Sequence, residues 1–366
     1  MSHVWLPCGD YHQTYEEDQG WWQTTFIKAK MTLLLLVVFI GIPLFLEEYW
    51  VGVATMVGYT AMGALGVQLL IGYAGLITLG HAAFIAVGAY TSTLLVLQFP
   101  WPQVFLDWGI AYPLSIVVAA IVAGIWSVLF GLPSAKVKGF YLILTTMAAQ
   151  FITVDFILTQ YVSQIGGRGQ AFTLPPGTIT VGPWVIDSER KIYYLMAVLL
   201  TLMVMALANF LRSKPGRAWV AIRDNDIAAE AMGINIVWYK LLAFFVAGAM
   251  AGVAGAFWVS NTAALSPEHF PWFWSLWLVG VILIGGVGSI HGAIFGSMFM
   301  VVVMELLQMA VIPLAFYYPK LLIDFAFVKD AAFGLAICAF LIYEPNGLAY
   351  RWWQIKNYFN LWPFSY

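Results

Sequence analysis

One short polar stretch concentrates the charge of an otherwise apolar chain: Arg223-Asp-Asn-Asp226 followed by Glu230-Ala-Met-Gly233, with Lys214 and Arg217 just before it. These residue types at this spacing suit mechanical contact better than covalent chemistry. Asp226 is placed to cap a short helix over residues 227–232, and Gly233 offers the left-handed residue that ends one. Asp224 and Asp226 sit where the positive end of that helix dipole favours a carboxylate. Ala228, Ala229 and Ala231 keep the helix slim, so that it can enter a groove in a partner. An ordinary charged connector would carry similar start and stop signals.

A second set of residues is polar or flexible within apolar sequence. Gly72, Gly75, Thr78, Gly80 and His81 fall in one run, and Gly285, Gly286, Gly288 and His291 in another. Glycine interruptions in corresponding positions of two halves point to a translocation path. Small residues also permit close helix crossing with no transport role. Asp155 and Glu305 are ionisable groups inside expected spans, where each is costly in lipid. They can line a wet cavity, meet a partner subunit, or lie near an interface. His81 and His291 read as hydrogen-bonded packing residues, since neither sits in a ligand cluster and no metal site is expected. No HExxH, GxSxG or clustered His/Cys arrangement is present, which argues against an enzyme. A GxxxxGK[ST] phosphate loop is also missing, so any ATP that drives this chain is expected to bind elsewhere.

The elements that position these groups follow from composition. The 366 residues are 62% hydrophobic and 9% charged, against about 25% charged in a soluble domain. Apolar runs near 31–46, 50–71, 76–99, 109–132, 139–160, 192–211, 241–260, 272–286, 293–315 and 331–343 predict an all-α polytopic membrane protein of about ten transmembrane helices. With the N-terminus inside, the sixteen lysines and arginines divide eleven to the inner side and five to the outer, as the positive-inside rule requires. Both termini are then cytoplasmic, the 212–240 loop is cytoplasmic, and the glycine-rich 161–191 loop is external. The acidic start, with Glu16, Glu17 and Asp18, lacks a positive n-region, so the first span is expected to remain as an anchor. Three regions result: an acidic, aromatic extension over 1–30, a membrane domain over 31–348, and an aromatic tail over 349–366. Trp21-Trp22, Trp272-Phe-Trp274 and Trp352-Trp353 read as interfacial belts. Cys8 and Cys338 give no disulfide framework. Nothing in the composition points to nucleic acid.

Two long motifs carry a family likeness. Gly72-Tyr-Ala-Gly-Leu-Ile-Thr-Leu-Gly-His-Ala-Ala-Phe84 and Gly216-Arg-Ala-Trp-Val-Ala-Ile-Arg-Asp-Asn-Asp-Ile-Ala-Ala-Glu-Ala-Met-Gly-Ile234 resemble the signatures of LivM-type permeases of branched-chain amino-acid ABC importers. The Ile284–Gly292 segment and Glu344-Pro-Asn-Gly347 resemble family features as well, and the likeness covers roughly 35–348 in order. It implies an inner-membrane (plasma-membrane) permease subunit paired with a homologous LivH-type subunit, two cytosolic ABC ATPases that bind ATP and Mg, and a periplasmic or other extracytoplasmic substrate-binding protein. It also implies that Arg223, Asp224, Asn225, Asp226, Glu230, Ala231 and Gly233 form the ATPase-coupling element. Where relatives commonly show Thr-Gly-Gly in the external loop, this chain has Ile165-Gly-Gly-Arg-Gly-Gln170. Urea, short amides or another amino acid therefore stay open beside branched-chain amino acids as cargo. An ion-coupled secondary transporter using Asp155 and Glu305 is the alternative of a different class.

Overall fold

The computed structural model describes residues 25–135, 139–162, 172–175, 178–262, 264–315 and 325–361. Most of the N-terminal extension, the glycine cluster of the 161–191 loop, and Lys320 lie outside the described residues. A chain that cannot hydrogen-bond its surroundings must satisfy its own backbone, and helices do so within one segment. In order these are α1 (Thr25–Leu36, running on through π-helical Val37–Gly41 and Ile42–Phe45), α2 (Glu48–Val67, extended by π-helical Gln68–Tyr73) and α3 (His81–Leu97). Then come short α4 (Gln103–Asp107), α5 (Ala111–Ala135), α6 (Phe140–Gln150, extended by π-helical Phe151–Val162) and α7 (Glu189–Arg212). After these follow α8 (Lys214–Asp224), α9 (Asp226–Ala231), α10 (Ile236–Thr262), α11 (Trp272–Gly285), α12 (Ile290–Ala315), α13 (Phe325–Tyr343) and α14 (Gly347–Leu361).

Each of the ten expected spans falls on a helix. Seven helices among the described residues are long and apolar enough to cross a membrane, namely α2, α5, α6, α7, α10, α11 and α12. The apolar part of α1 and the whole of α3 are shorter. The α3 helix starts at His81 instead of near residue 76, because 74–80 is unwound and Gly75 stands at φ +69°.

Two central helices, α2 and α10, touch each other and organise the rest. Around α10 pack α3 and α5; around α2 pack α7, α11 and α12. Small residues let the backbones approach closely. A β-carbon at Gly88 of α3 would stand 2.4 Å from the Gly252 Cα of α10, and one at Gly248 would stand 2.2 Å from Ser127 Oγ of α5. Such small-residue crossings replace a hydrophobic driving force that lipid does not supply. Val117, Ile121, Ile125 and Leu129 of α5 form an exposed apolar stripe at a spacing of four, the face a helix turns to lipid.

The bundle has two distinct ends. One gathers the 74–80 link, Gly139, α8 and α9, the α11–α12 turn and the α13–α14 turn. The other gathers short strands that the helix-based expectation did not foresee. There β1 (Phe172–Thr173) pairs antiparallel with β4 (Ala264–Leu265), and β2 (Thr180–Val181) with β3 (Trp184–Val185). The tight β2–β3 turn places Gly182 at φ +61°, a conformation that hairpin turns ask of their first central residue.

Candidate functional site

The polar stretch folds as two consecutive helices, α8 and α9, and α10 follows directly after them. Pro215 lies in the first turn of α8, where its missing N–H costs nothing. One face of α8, with Ala218, Trp219 and Ile222, is buried. Trp219 is fully buried and its Nε1 donates to the Tyr239 carbonyl at 2.8 Å, which fixes α8 to the start of α10. A single extended residue, Asn225, separates α8 from α9.

Asn225 Oδ1 accepts from the Ala228 amide at 3.1 Å and so caps α9. The expected cap, Asp226, is instead the first helical residue, where its carboxylate still meets the positive end of the dipole. The helix closes on Gly233 at φ +84°, with Gly233 N donating to Glu230 O at 2.9 Å and Ile234 N to Ala229 O at 3.0 Å. This double bond pattern satisfies the orphan carbonyls. Asn235 Oδ1 then caps α10 through the Trp238 amide at 3.1 Å.

The surface of α9 mixes apolar and charged side chains. Ile227 is 74% exposed and Met232 84% exposed, beside exposed Glu230 and Ala231, while Ala229 faces inward. At the α8–α9 junction lies a groove of about 350 Å³ lined by Gly75, Leu142, Ile222, Arg223, Asp226 and buried Lys240.

Arg223 points back into the bundle. Its Nη1 donates to the Gly72 carbonyl at 2.7 Å, while Nε and Nη2 donate to Asp224 Oδ1 at 3.1 and 2.9 Å. The two glycine runs meet here. A β-carbon at Gly72 would stand 2.6 Å from Gly288 N, and one at Gly285 would stand 1.8 Å from Gly292 O. Gln68, fully buried in α2, donates Nε2 to Gly286 O at 3.1 Å and to Ser289 O at 2.9 Å. The α13–α14 turn closes the junction, since a β-carbon at Gly347 would stand 2.5 Å from Gly286 Cα.

The other candidates are placed apart. Thr78 is buried and accepts from Gly80 N at 3.4 Å; a β-carbon at Gly80 would meet Thr146 O. His81 is fully buried, edge-on to Phe84, and neither ring nitrogen has a partner among the described residues. Asp155 lies on the exposed face of α6 beside Ile152 and Phe156. It falls about 7 Å inside the end of the 141–160 span, at 1.5 Å per residue. Glu305 accepts a hydrogen bond from the Tyr49 hydroxyl at the start of α2, at the end of the bundle opposite α9. Among the described residues no group of three or more His, Cys, Asp or Glu gathers as a metal site. Sequence reasoning missed Gln68, Thr146 and Ser275, whose Oγ accepts from Ala82 N at the start of α3 at 2.9 Å. A search for uncharged amides and hydroxyls within spans would have raised all three.

Such a fold, a polytopic helical bundle with a capped polar element tied to its helix ends, is that of a multi-pass membrane protein. The family model described as "Branched-chain amino acid transport system / permease component" matches residues 49–344, and the chain belongs to that family. It is a multi-pass protein of the inner membrane. It is similar to the high-affinity branched-chain amino acid transport system permease protein LivM of Salmonella typhimurium, 29% identical over 88% of this chain and 75% of the relative. The LivM protein of Escherichia coli gives the same figures. The LivH permease of Salmonella typhimurium is 26% identical over 69% of this chain and 83% of its own length. No solved structure matches.

Proposed function

We infer that the chain is the permease subunit of an ATP-driven importer of branched-chain amino acids, and that α9 receives the work of ATP hydrolysis from separate ATPases. The observation that carries this reading is the doubly capped α9 with Ile227 and Met232 exposed, joined through Arg223 to the end of α2. A chain without a phosphate loop needs a partner that has one. The partner assembly is then a second, LivH-like permease, two cytosolic ATPases holding ATP and Mg, and an extracytoplasmic binding protein that delivers the cargo. The nucleotide states act by contacting α9 differently, because only a differential interaction shifts a conformational equilibrium.

Copurification of the native chain with P-loop ATPases, followed by ATP-dependent uptake of labelled leucine, isoleucine and valine in proteoliposomes, tests the reading. Glu230→Lys is expected to abolish uptake while the binding protein still holds its cargo. Uptake of urea, short amides or other amino acids with indifference to the three branched-chain ones would replace the cargo and keep the machine. The exposed carboxylate of Asp155 within a span supports a second reading, an ion-coupled transporter. Gradient-driven accumulation by the purified chain alone would decide for it.

A further inference from the structure

The family likeness groups Arg223 with the residues that face an ATPase, yet its partly exposed side chain sends one guanidinium nitrogen inward to the bundle. Nη1 ends on the carbonyl of Gly72, in the last π-helical turn of α2, at 2.7 Å. Carbonyls there lack the full set of intrahelical donors and form the negative end of the helix dipole, so a guanidinium is a favoured partner. Nε and Nη2 both donate to Asp224 Oδ1, which orients the planar group. The stem is confined too: a β-carbon at Gly75 would stand 2.9 Å from Arg223 Cγ, and one at Gly288 would stand 3.5 Å from both Nη1 and the Gly72 oxygen.

At this point α8 meets the two glycine breaks together. Gly72 touches Gly288, Gln68 spans from α2 to Gly286 and Ser289, and the α13–α14 turn seats on Gly286. Arg223 is separated from α9 only by Asp224 and Asn225. A displacement of α9 therefore reaches the Arg223 guanidinium with little slack. Glycines with no side chain to interlock let the α2 end and the α11–α12 turn shift against each other.

We propose that Arg223 is a positioning residue, a strut that carries the displacement of α9 to the Gly72–Gly288 junction and makes no contact with the ATPase itself. The proposal rests on the ATP-coupled reading of α9.

The test uses the full chain reconstituted with its copurified ATPases, partner permease and binding protein. It measures ATPase copurification, ATP hydrolysis, and solute moved per ATP hydrolysed. Arg223→Ala is expected to retain copurification and hydrolysis while solute per ATP falls at least tenfold. Arg223→Lys, which keeps a cationic donor for Gly72 but lacks the fork that Asp224 grips, is expected to recover part of that ratio. It is also the variant to read if Arg223→Ala does not accumulate. Parallel loss of copurification and uptake would make Arg223 an ATPase contact and overturn the proposal, as would an unchanged ratio in Arg223→Ala. Should the native chain fail to bring down any ATPase, the coupled reading falls and takes this one with it. An intact native complex with an indifferent Arg223 removes the strut alone.

Discussion

The double variant Ile227→Ser, Met232→Ser gives the sharpest test of α9 as a docking element. Fully burying one such side chain contributes about 2 kcal/mol. Ile227 and Met232 are 74% and 84% exposed in the chain by itself, so most of that contribution is still to be realised on contact. About 1.5 kcal/mol each, or roughly 3 kcal/mol together, is the expected loss of association with the ATPase. At 1.4 kcal/mol per decade this weakens binding roughly 100-fold. Folding is expected to be indifferent, because neither side chain packs on the bundle and the α9 caps are backbone and Asn225 groups.

Titration of labelled ATPase onto solubilised permease measures the affinity, and a thermal melt of the permease alone supplies the control. Unchanged affinity with an unchanged melt would refute the docking role of these two side chains. A lowered melt would refute the premise that they are free of the fold.

Four further outcomes are expected. Trp219→Ala empties a fully buried site and should cost about 3–5 kcal/mol, whereas Trp219→Phe loses the bond to Tyr239 O but keeps most of the packing and should cost less; melting temperatures in that order check it, and equal values sink it. Asn225→Ala removes the α9 cap at about 1 kcal/mol and should speed amide exchange at Ala228 several-fold, with Asn225→Asp restoring protection. Gly233→Val forces a branched residue to φ +84°, a cost of about 1–2 kcal/mol, and should fray the end of α9 more than Gly233→Asn does, as amide exchange at Ile234 reports. Asp155→Leu removes an exposed carboxylate from a span; uptake should fall while membrane insertion is unharmed, and undiminished uptake would place Asp155 off the path.

Much of the architecture was legible because lipid leaves the backbone one economical solution. Each apolar run became a helix, and Gly233 ended α9 as its left-handed preference suggests. The cap was misplaced by one residue because Asn225 and Asp226 are both good caps, and only the extended backbone at Asn225 decides between them. Glycine runs announced close approach without naming the neighbour. That Gly72 meets Gly288 depends on how α2 and the α11–α12 turn are brought together, which no local pattern encodes. Glu305 drew suspicion as a carboxylate in apolar sequence, yet its partner Tyr49 lies 256 positions away. The strands at the opposite end escaped notice because two-residue pairings carry no periodicity.

The two ends of the bundle are built from different kinds of contact, and the difference bears on where motion can enter. Away from α9, besides the Tyr49–Glu305 contact, backbone pairs with backbone: β1 with β4, β2 with β3, and Gly182 N with Gly109 O at 3.1 Å. The β1–β4 pairing and the Gly182–Gly109 bond join segments far apart in the chain, and such bonds are costly to leave unmade once buried. Beside α9, segments are joined by single side chains reaching one or two carbonyls, Arg223 to Gly72 and Gln68 to Gly286 and Ser289, across surfaces of glycine. A glycine surface has no knobs to lift out of holes, so sliding along it breaks few contacts. A push delivered at α9 thus works on the end where few bonds resist it, while the strand pairings hold the other. Under the coupled reading, that asymmetry lets a six-residue helix move spans several times its length.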